Sequence, residues 1–392
     1  MIYRRKIYEK LKEHLQKSQI TVLTGMRRTG KTTLVKQLLS EIPSPNKIYL
    51  DLENVSNREI FFEKNYENVL LALEQRGLRR HEEMFVALDE IQLCPPAVSV
   101  LKYLYDHYRI KFIITGSSSY YLKNLFTESL AGRKTLFEIF PLDFGEFLTF
   151  KGVPSAERDF RDTLFSAPEY ERVRAYYEEF VRFGGFPEVV LETNEAHKRR
   201  ILEDIISSYV NIDIATLADF RKDAQVYALI KMLASRVGTK LDYAKLSRLV
   251  GIANVTAQNY IDFFEKTYLI VRVPVLSTKA DREITKAKKV YFSDTGLANI
   301  LADLSSGAQF ENAVFTQLRH RGALQYYALK NGREIDFILD GTLALETKET
   351  PMEADKTALW GLAGQAGVPA CRLIGRYPSP TFADFVWGGE IR

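Results

Sequence analysis

Cysteine is scarce in this chain. Cys94 and Cys371 are its only two cysteines in 392 residues, and they form no C-x-x-C pair. A disulfide framework and a cysteine-based zinc site are therefore excluded, and a reducing, cytoplasmic setting is expected. No apolar run approaches the roughly 18 residues of a membrane span, so no membrane association is expected. The opening string MIYRRKIYEKLKEHL is charged and helix-like, unlike the apolar core of a signal peptide. There is no internal repeat and no low-complexity stretch. An excess of one sign of charge is also nearly absent, with a net value of +4. What remains is a chain with 46% hydrophobic and 27% charged residues, the balance of an ordinary globular protein long enough for two to four domains.

Against that background one octapeptide stands out. Gly25-Met26-Arg27-Arg28-Thr29-Gly30-Lys31-Thr32 fits G-x-x-x-x-G-K-[ST], the loop that wraps nucleotide phosphates. Apolar Ile20 to Leu23 precede it as a strand, and Leu34 to Leu39 follow as a helix. Bare N–H groups and a helix N-terminus then face the phosphates. This makes Gly25, Arg28, Thr29, Gly30, Lys31, Thr32 and Thr33 candidate nucleotide-binding residues. Lys31 would reach the β- and γ-phosphates, and the Thr32 hydroxyl would ligate Mg²⁺.

After the loop, apolar segments at 47–52, 84–88, 111–115 and 134–140 alternate with helical ones. That alternation predicts a parallel sheet sandwiched by helices. Ligands of such sheets sit beyond the carboxyl ends of the strands. The string Phe85-Val86-Ala87-Leu88-Asp89-Glu90 is four apolar residues followed by two acids, a Walker B pattern. Asp89 would hold Mg²⁺ and Glu90 would polarise the attacking water. The strand ending in Ile113-Ile114-Thr115-Gly116-Ser117-Ser118 would offer Thr115 or Ser117 to the γ-phosphate if it is inserted beside the loop strand. Arg133, in Leu130-Ala131-Gly132-Arg133, has two readings: a finger reaching a neighbouring subunit's γ-phosphate, or an ordinary salt-bridging arginine. Thr278-Lys279-Ala280-Asp281 mimics a guanine-reading string but lies almost 190 residues beyond Asp89, and is set aside as coincidence.

The strings TGMRRTGKTTLVKQ, VALDEIQ, IITGSSS, LAGR and FPLDFGEF occur in this order. Together they resemble the prokaryotic AAA+-type ATPases that carry a C-terminal domain long labelled as of unknown function. The resemblance covers essentially the whole chain. It implies ATP rather than GTP, homo-oligomers, and Arg133 as a finger acting in trans.

From about Pro154 to Lys240 the pattern is helical, broken sharply at Phe183-Gly184-Gly185-Phe186-Pro187, which suggests no chemistry of its own. Then Asp242 is expected to cap a helix carrying Leu246, Leu249 and Val250. Gly251 makes a turn, and Asn254 caps a second helix with Ile261 and Phe264 inward. Leu269 to Val273 follows as a wing strand. This is a winged helix-turn-helix. Thr256, Gln258 and Asn259 fall where base-reading residues would sit, although such modules also serve as packing units between domains. The adjoining stretch from Arg272 to Lys289 holds Arg272, Lys279, Arg282, Lys286, Lys288 and Lys289 against only Asp281 and Glu283. It reads either as a phosphate-binding footprint on DNA or as a solvated hairpin.

The C-terminal part reads α-β-β-β-α-β. A helix at 310–318 has Phe310, Val314 and Leu318 inward. Strands at 324–329, 334–339 and 343–347 are separated by Asn331-Gly332 and Asp340-Gly341. A helix at 355–365 and a strand at 371–374 follow. Within them Asp336 and Glu346 are hard oxygen ligands suited to a metal, with Lys348 two residues on. Glu311 would complete the site from the helix. This resembles the PD-(D/E)XK nuclease fold, which implies metal-assisted phosphodiester hydrolysis. The chain lacks the Gln or Tyr that some such nucleases place several residues after the lysine. Catalytic activity and a retained role as a binding module both stay open. Sharing a metal requires Asp336 and Glu346 on one sheet face. That demands an odd-length loop between their strands, or a bulge of equal effect, and the loop Leu339-Asp340-Gly341 is expected.

The expected fold is therefore α/β: a P-loop, AAA+-like parallel sheet over 1–150, a helical region over 151–235, a winged helix over 236–295 and a nuclease-like domain over 300–392. ATP and Mg²⁺ are the expected cofactors. DNA and copies of the same chain are the expected partners. The expected activity is ATP hydrolysis on DNA, with a nucleotide-gated switch as the alternative.

Overall fold

The computed structural model describes residues 3–117, 130, 132–155, 159–214, 223–277 and 286–392. Ser118, Ala131 and the string from Thr278 to Asp281, with Arg282 and Glu283, lie outside the described residues. The chain divides into two compact units, one ending at Phe140 and including Lys266–Tyr268, the other holding the rest.

The first unit is built on five strands, β1 (Ile20–Thr24), β2 (Lys47–Asp51), β3 (Met84–Asp89), β4 (Ile110–Gly116) and β5 (Lys134–Glu138). They form one parallel sheet in the order β2-β3-β4-β1-β5. The four strands read from the alternating pattern are thus present within two residues of their expected ends. β4 is inserted between the loop strand and the Asp89 strand, the condition under which its polar residues approach both motifs. Strands buried on both faces read as unbroken apolar runs, and all residues of β1 and β4 are buried. One face packs a core with Val22, Leu88, Leu101 and Phe112. The other packs Leu23, Leu34, Leu38 and Ile113, the middle two from the helix Lys31–Glu41.

The second unit begins with the helix Phe144–Phe150, which Asp143 and Glu146 close with a reciprocal capping box. The glycine break at 184–185 finds its reason here. A Cβ on Gly185 would stand 2.1 Å from the Leu142 carbonyl oxygen, and Gly184 has φ +75°. The Gly185 N–H donates to the buried Asp294 carboxylate at 2.7 Å, while Asp294 also caps the helix Thr295–Leu301. The break is a close approach of two backbones.

The two helices and the strand read after Asp242 are present, with one difference. The helices are Tyr243–Val250, capped by Asp242, and Asn254–Lys266, joined through Gly251 at φ +73°. Asn254 is the first helical residue rather than the cap, and Leu249 on the first helix is 56% exposed. β6 (Ile270–Val273) and β7 (Lys289–Phe292) pair antiparallel as the wing. The C-terminal order is also as read: the helix Ser306–Leu318, β8 (Leu324–Ala328), β9 (Glu334–Leu339), β10 (Leu343–Lys348), the helix Glu353–Ala366 and β11 (Ala370–Gly375). β12 (Val386–Trp387), too short to leave a pattern, extends the sheet to β12-β11-β10-β9-β8. No described helix is long and apolar enough to cross a membrane.

The hairpin between β9 and β10 decides which side chains share a face. Leu339 pairs with Leu343 and Phe337 with Leu345, and the same register puts Asp336 opposite Glu346. The pairing is shifted by two residues from the expected one, which leaves its parity intact. Asp340 (φ +50°) and Gly341 (φ +68°) form a two-residue turn closed by the Thr342 N–H on the Leu339 carbonyl, and Thr342 is the bulge. Burial of Phe337, Leu339, Leu343 and Leu345 enforces that parity, because a slip of one residue would turn them all outward.

Candidate functional site

The loop after β1 is shaped by backbone geometry before any side chain acts. Gly25 has φ +153°, and a Cβ there would lie 2.0 Å from the Ile139 carbonyl oxygen. Gly30 (φ +95°) precedes the helix Lys31–Glu41, and Arg28 takes a left-handed φ of +62° without being glycine. Such strain in a non-glycine residue concentrates at functional sites. The buried Thr29 hydroxyl donates within the loop to the Met26 carbonyl at 2.9 Å, so its side chain is engaged internally. Arg28 and Thr33 side chains are exposed. The Lys31 ammonium is held by the carbonyls of Gly25 and Met26 at 2.9 and 3.0 Å.

The carboxyl ends of β1, β3 and β4 bring the second group of residues to this loop. The Thr32 hydroxyl donates to Asp89 Oδ2 at 2.7 Å, and the Tyr49 hydroxyl donates to the same oxygen at 2.6 Å. Burial first, then the Asp89 carboxylate, hold the Tyr49 phenol above its ordinary pKa. Thr115 donates its hydroxyl to Asp89 Oδ1 and accepts from the Glu90 N–H at 3.0 Å. Thr115, rather than Ser117, therefore occupies the place between the two acids. Ser117 accepts from the Gln92 amide at 3.0 Å, and the same amide donates to the Glu90 carboxylate. Glu90 itself has φ +56°. Tyr49, Gln92 and Arg5 escaped the sequence reading. Arg5 is buried and joins the Thr29 carbonyl to that of Phe140 at 2.9 and 2.8 Å. A period-two reading of β2 carries the signal for Tyr49, which points to the Asp89 side, but nothing local signals Arg5.

These donors fit a magnesium nucleotide. A hydroxyl and a carboxylate 2.7 Å apart, beside a left-handed glycine loop at a helix N-terminus, leave the remaining positions to phosphate and water, as Mg²⁺ prefers. Arg133 lies elsewhere. Its carbonyl accepts from Ile20 at the start of β1, so it stands at the amino-terminal end of the sheet, away from the loop. Its guanidinium pairs with Asp106 at 2.8 and 3.1 Å.

The C-terminal residues do come together, on one face as the register requires, but they are already partnered. Asp336 Oδ2 accepts from the Thr347 N–H and hydroxyl at 3.0 and 2.8 Å. Glu346 pairs with Lys348 at 3.1 Å. Glu311 accepts from the Tyr291 hydroxyl at 2.6 Å. The Lys289 ammonium, 1% exposed, lies 2.9 Å from Glu334, 3.4 Å from Asp336 and 3.5 Å from Glu311. Burial, then the charge of Asp336, push Glu311 up to about 8, and the same two causes raise Glu346. Among the described residues no group of three or more His, Cys, Asp or Glu side chains is disposed to hold a metal. The residues expected to share a metal, Asp336 and Glu346 with Glu311 and Lys348, converge, and an ammonium and their own backbone satisfy them.

The described part of the basic stretch divides into internal and outward cations. Arg272 is bound to Glu265 and Asp262, and Lys289 is internal. Of its described cations, Lys286 is exposed, Lys288 and Arg272 are half-buried and Lys289 is buried. On the second helix Gln258 and Asn259 are exposed and Thr256 is half-buried.

Sheet order, loop geometry and the Thr32–Asp89 pair give the first unit the arrangement of a P-loop domain. In agreement, a family model described as an AAA domain matches residues 17–148. A second model, a domain of unknown function (DUF8612), matches residues 174–308. An uncharacterized protein of Methanocaldococcus jannaschii is 29% identical over 335 residues, 83% of this chain and 73% of that one. Another, of Haemophilus influenzae, is 28% identical over 352 residues, 86% of this chain and 84% of that one. Among solved structures, the Walker-type ATPase PABY2304 of Pyrococcus abyssi is similar with 17% identity and a TM-score of 0.48, over 77% of this chain and 96% of that one.

Proposed function

We propose that the protein binds and hydrolyses ATP and uses the cycle as a switch that acts on DNA. The observation that carries the reading is the network at the carboxyl ends of the strands, in which Thr32, Tyr49 and Thr115 fix the Asp89 carboxylate and Thr115 fixes the backbone of Glu90. Backbone N–H groups of 25–32 and the Lys31 ammonium bind the phosphates. Lys31 exchanges its loop carbonyls for phosphate oxygens when it does so. Thr32 and Asp89 would hold Mg²⁺, and the ion would supply charge neutralisation on the phosphates. Glu90, beside them, orients and deprotonates the attacking water. Arg133, turned away from its own nucleotide, serves a neighbouring copy in a homo-oligomer once Asp106 releases it.

DNA contact is assigned to the winged helix through Gln258 and Asn259, with Lys286 and Lys288 on phosphates. The C-terminal sheet has the order of a nuclease fold and its Asp336, Glu346 and Lys348. Because those side chains are satisfied internally, it is read as a non-catalytic module that binds DNA or a protein.

The reading is tested by phosphate release from Mg·ATP by the full chain, with Lys31→Ala as control. Turnover in the parent protein and loss of nucleotide binding in the variant are expected. Equal turnover in both would reject it. Incubation of the parent with plasmid and Mn²⁺ is expected to leave the DNA intact.

A further inference from the structure

The pocket between β7, the helix Ser306–Leu318 and the start of β9 concentrates negative charge. Glu311, Glu334 and Asp336 all face one point, and Glu346 flanks Asp336 across the hairpin. Three carboxylates around a buried point need a cation there, since unpaired buried charge is among the costliest features a fold can carry. The chain supplies that cation itself. Lys289 comes from the wing, not from the sheet that carries the acids.

The wing is built to deliver it. Gly238, at φ +73°, brings its backbone so close that a Cβ would lie 2.7 Å from Glu311 Oε2. Its N–H donates to the Val290 carbonyl at 2.9 Å, which ties this approach to β7. Lys240 adds a second ammonium, 3.0 Å from Glu334. The Tyr326 ring lies 5.7 and 5.8 Å from the two ammonium nitrogens. Tyr291, two residues beyond Lys289, stacks on Phe315 with ring centres 4.6 Å apart while bonding Glu311. Gly238, Lys240, Lys289 and Tyr291 thus line one side of the carboxylate pocket.

We propose that Lys289 is the resident cation of this pocket. Its ammonium balances the charge that a divalent ion balances in a metal-dependent nuclease, and in doing so it locks the winged helix onto the C-terminal sheet. A divalent ion and the Lys289 ammonium are then mutually exclusive occupants. The inference rests on reading this sheet as a non-catalytic module, and is independent of the ATPase.

The test is calorimetric titration of the nucleotide-free full chain with MnCl₂, beside thermal unfolding in EDTA and in Mn²⁺. The parent is expected to have no Mn²⁺ site that Asp336→Asn removes, and no Asp336-dependent rise in Tm. Lys289→Met is expected to unfold several degrees lower in EDTA and to recover part of the loss in Mn²⁺, with a new saturable site that Asp336→Asn abolishes. If Lys289→Met fails to fold, Lys289→Met combined with Glu334→Gln, which removes one of the facing charges, carries the same comparison. An Asp336-dependent Mn²⁺ site in the parent overturns the proposal, as does a folded Lys289 variant that gains none. Plasmid cleavage by the parent would separately overturn the non-catalytic reading, so the two failures are distinguishable.

Discussion

The Thr32 hydroxyl and the Asp89 carboxylate meet at 2.7 Å, although 57 residues separate them in sequence. One opens the helix after β1 and the other ends β3. They meet because β4 stands between those strands and its Thr115 bonds Asp89 from the far side. The division of labour between Asp89 and Glu90 follows. Asp89 is fixed by three hydroxyls, while the Glu90 carboxylate is reached by the Gln92 amide. Glu90→Gln is therefore expected to keep ATP binding and lose turnover by about 10²-fold or more, the usual cost of removing a catalytic base. Binding is read by a fluorescent ATP analogue and turnover by phosphate release. Turnover at the parent rate would remove Glu90 from its role.

Arg133 gives an assembly prediction. Its pair with Asp106 is half-exposed and screened by solvent, so breaking it should alter stability little. Arg133→Ala is accordingly expected to fold and to bind ATP while hydrolysing it poorly. Mixing it with Glu90→Gln protein, itself inactive, is expected to restore some turnover at interfaces where an intact Arg133 meets an intact Glu90. If the mixture stays dead and the parent's specific activity does not change with concentration, Arg133 is only a partner of Asp106.

The proposed DNA contacts are of two kinds, Lys286 and Lys288 on phosphates and Gln258 and Asn259 on bases. Replacing Lys286 and Lys288 should flatten the log–log dependence of DNA affinity on salt by up to about one unit for each lysine replaced. Replacing Gln258 and Asn259 by alanine should instead reduce discrimination between DNA sequences and leave that slope alone. Fluorescence anisotropy at a series of salt concentrations measures both. A slope indifferent to Lys286 and Lys288 would assign the wing to packing.

Glu169 makes stability depend on pH. It pairs with Arg172 at 2.6 Å and with the buried Arg392, and these partners hold its carboxyl at about 2 against an ordinary 4.5. A folded-state pKa below the unfolded one contributes stability that is complete above pH 4.5 and is lost as the pH falls toward 2. Allowing for solvent screening, Glu169→Gln should cost about 1–2 kcal/mol at pH 7. The gap between parent and variant in urea melts should close between pH 4.5 and 2. A gap that persists unchanged would mean the loss comes from packing rather than from charge.

The sequence by itself determined the elements and their chemistry. The phosphate loop, the two acids ending β3, the capped helices of the wing and the α-β-β-β-α-β order are local. Each is set by a period, a cap or a turn residue within about fifteen positions. Even the parity of the β9–β10 hairpin was legible, because the apolar residues on both strands must share one core and only an odd offset allows it. What the tertiary structure decided is which side chains meet across long separations. Arg272 and Lys289 read locally as a basic surface, since a lysine or arginine is exposed unless a partner pays for its burial. Their partners include Asp262, Glu311, Glu334 and Asp336, placed by the folding of other elements. Tyr49, Gln92 and Arg5 entered the nucleotide site in the same way. Periodicity tells which face of an element is buried, but not what that face is buried against. That is why Asp336 and Glu346 were correctly placed together, while the ammonium between Asp336, Glu311 and Glu334 was found only in three dimensions.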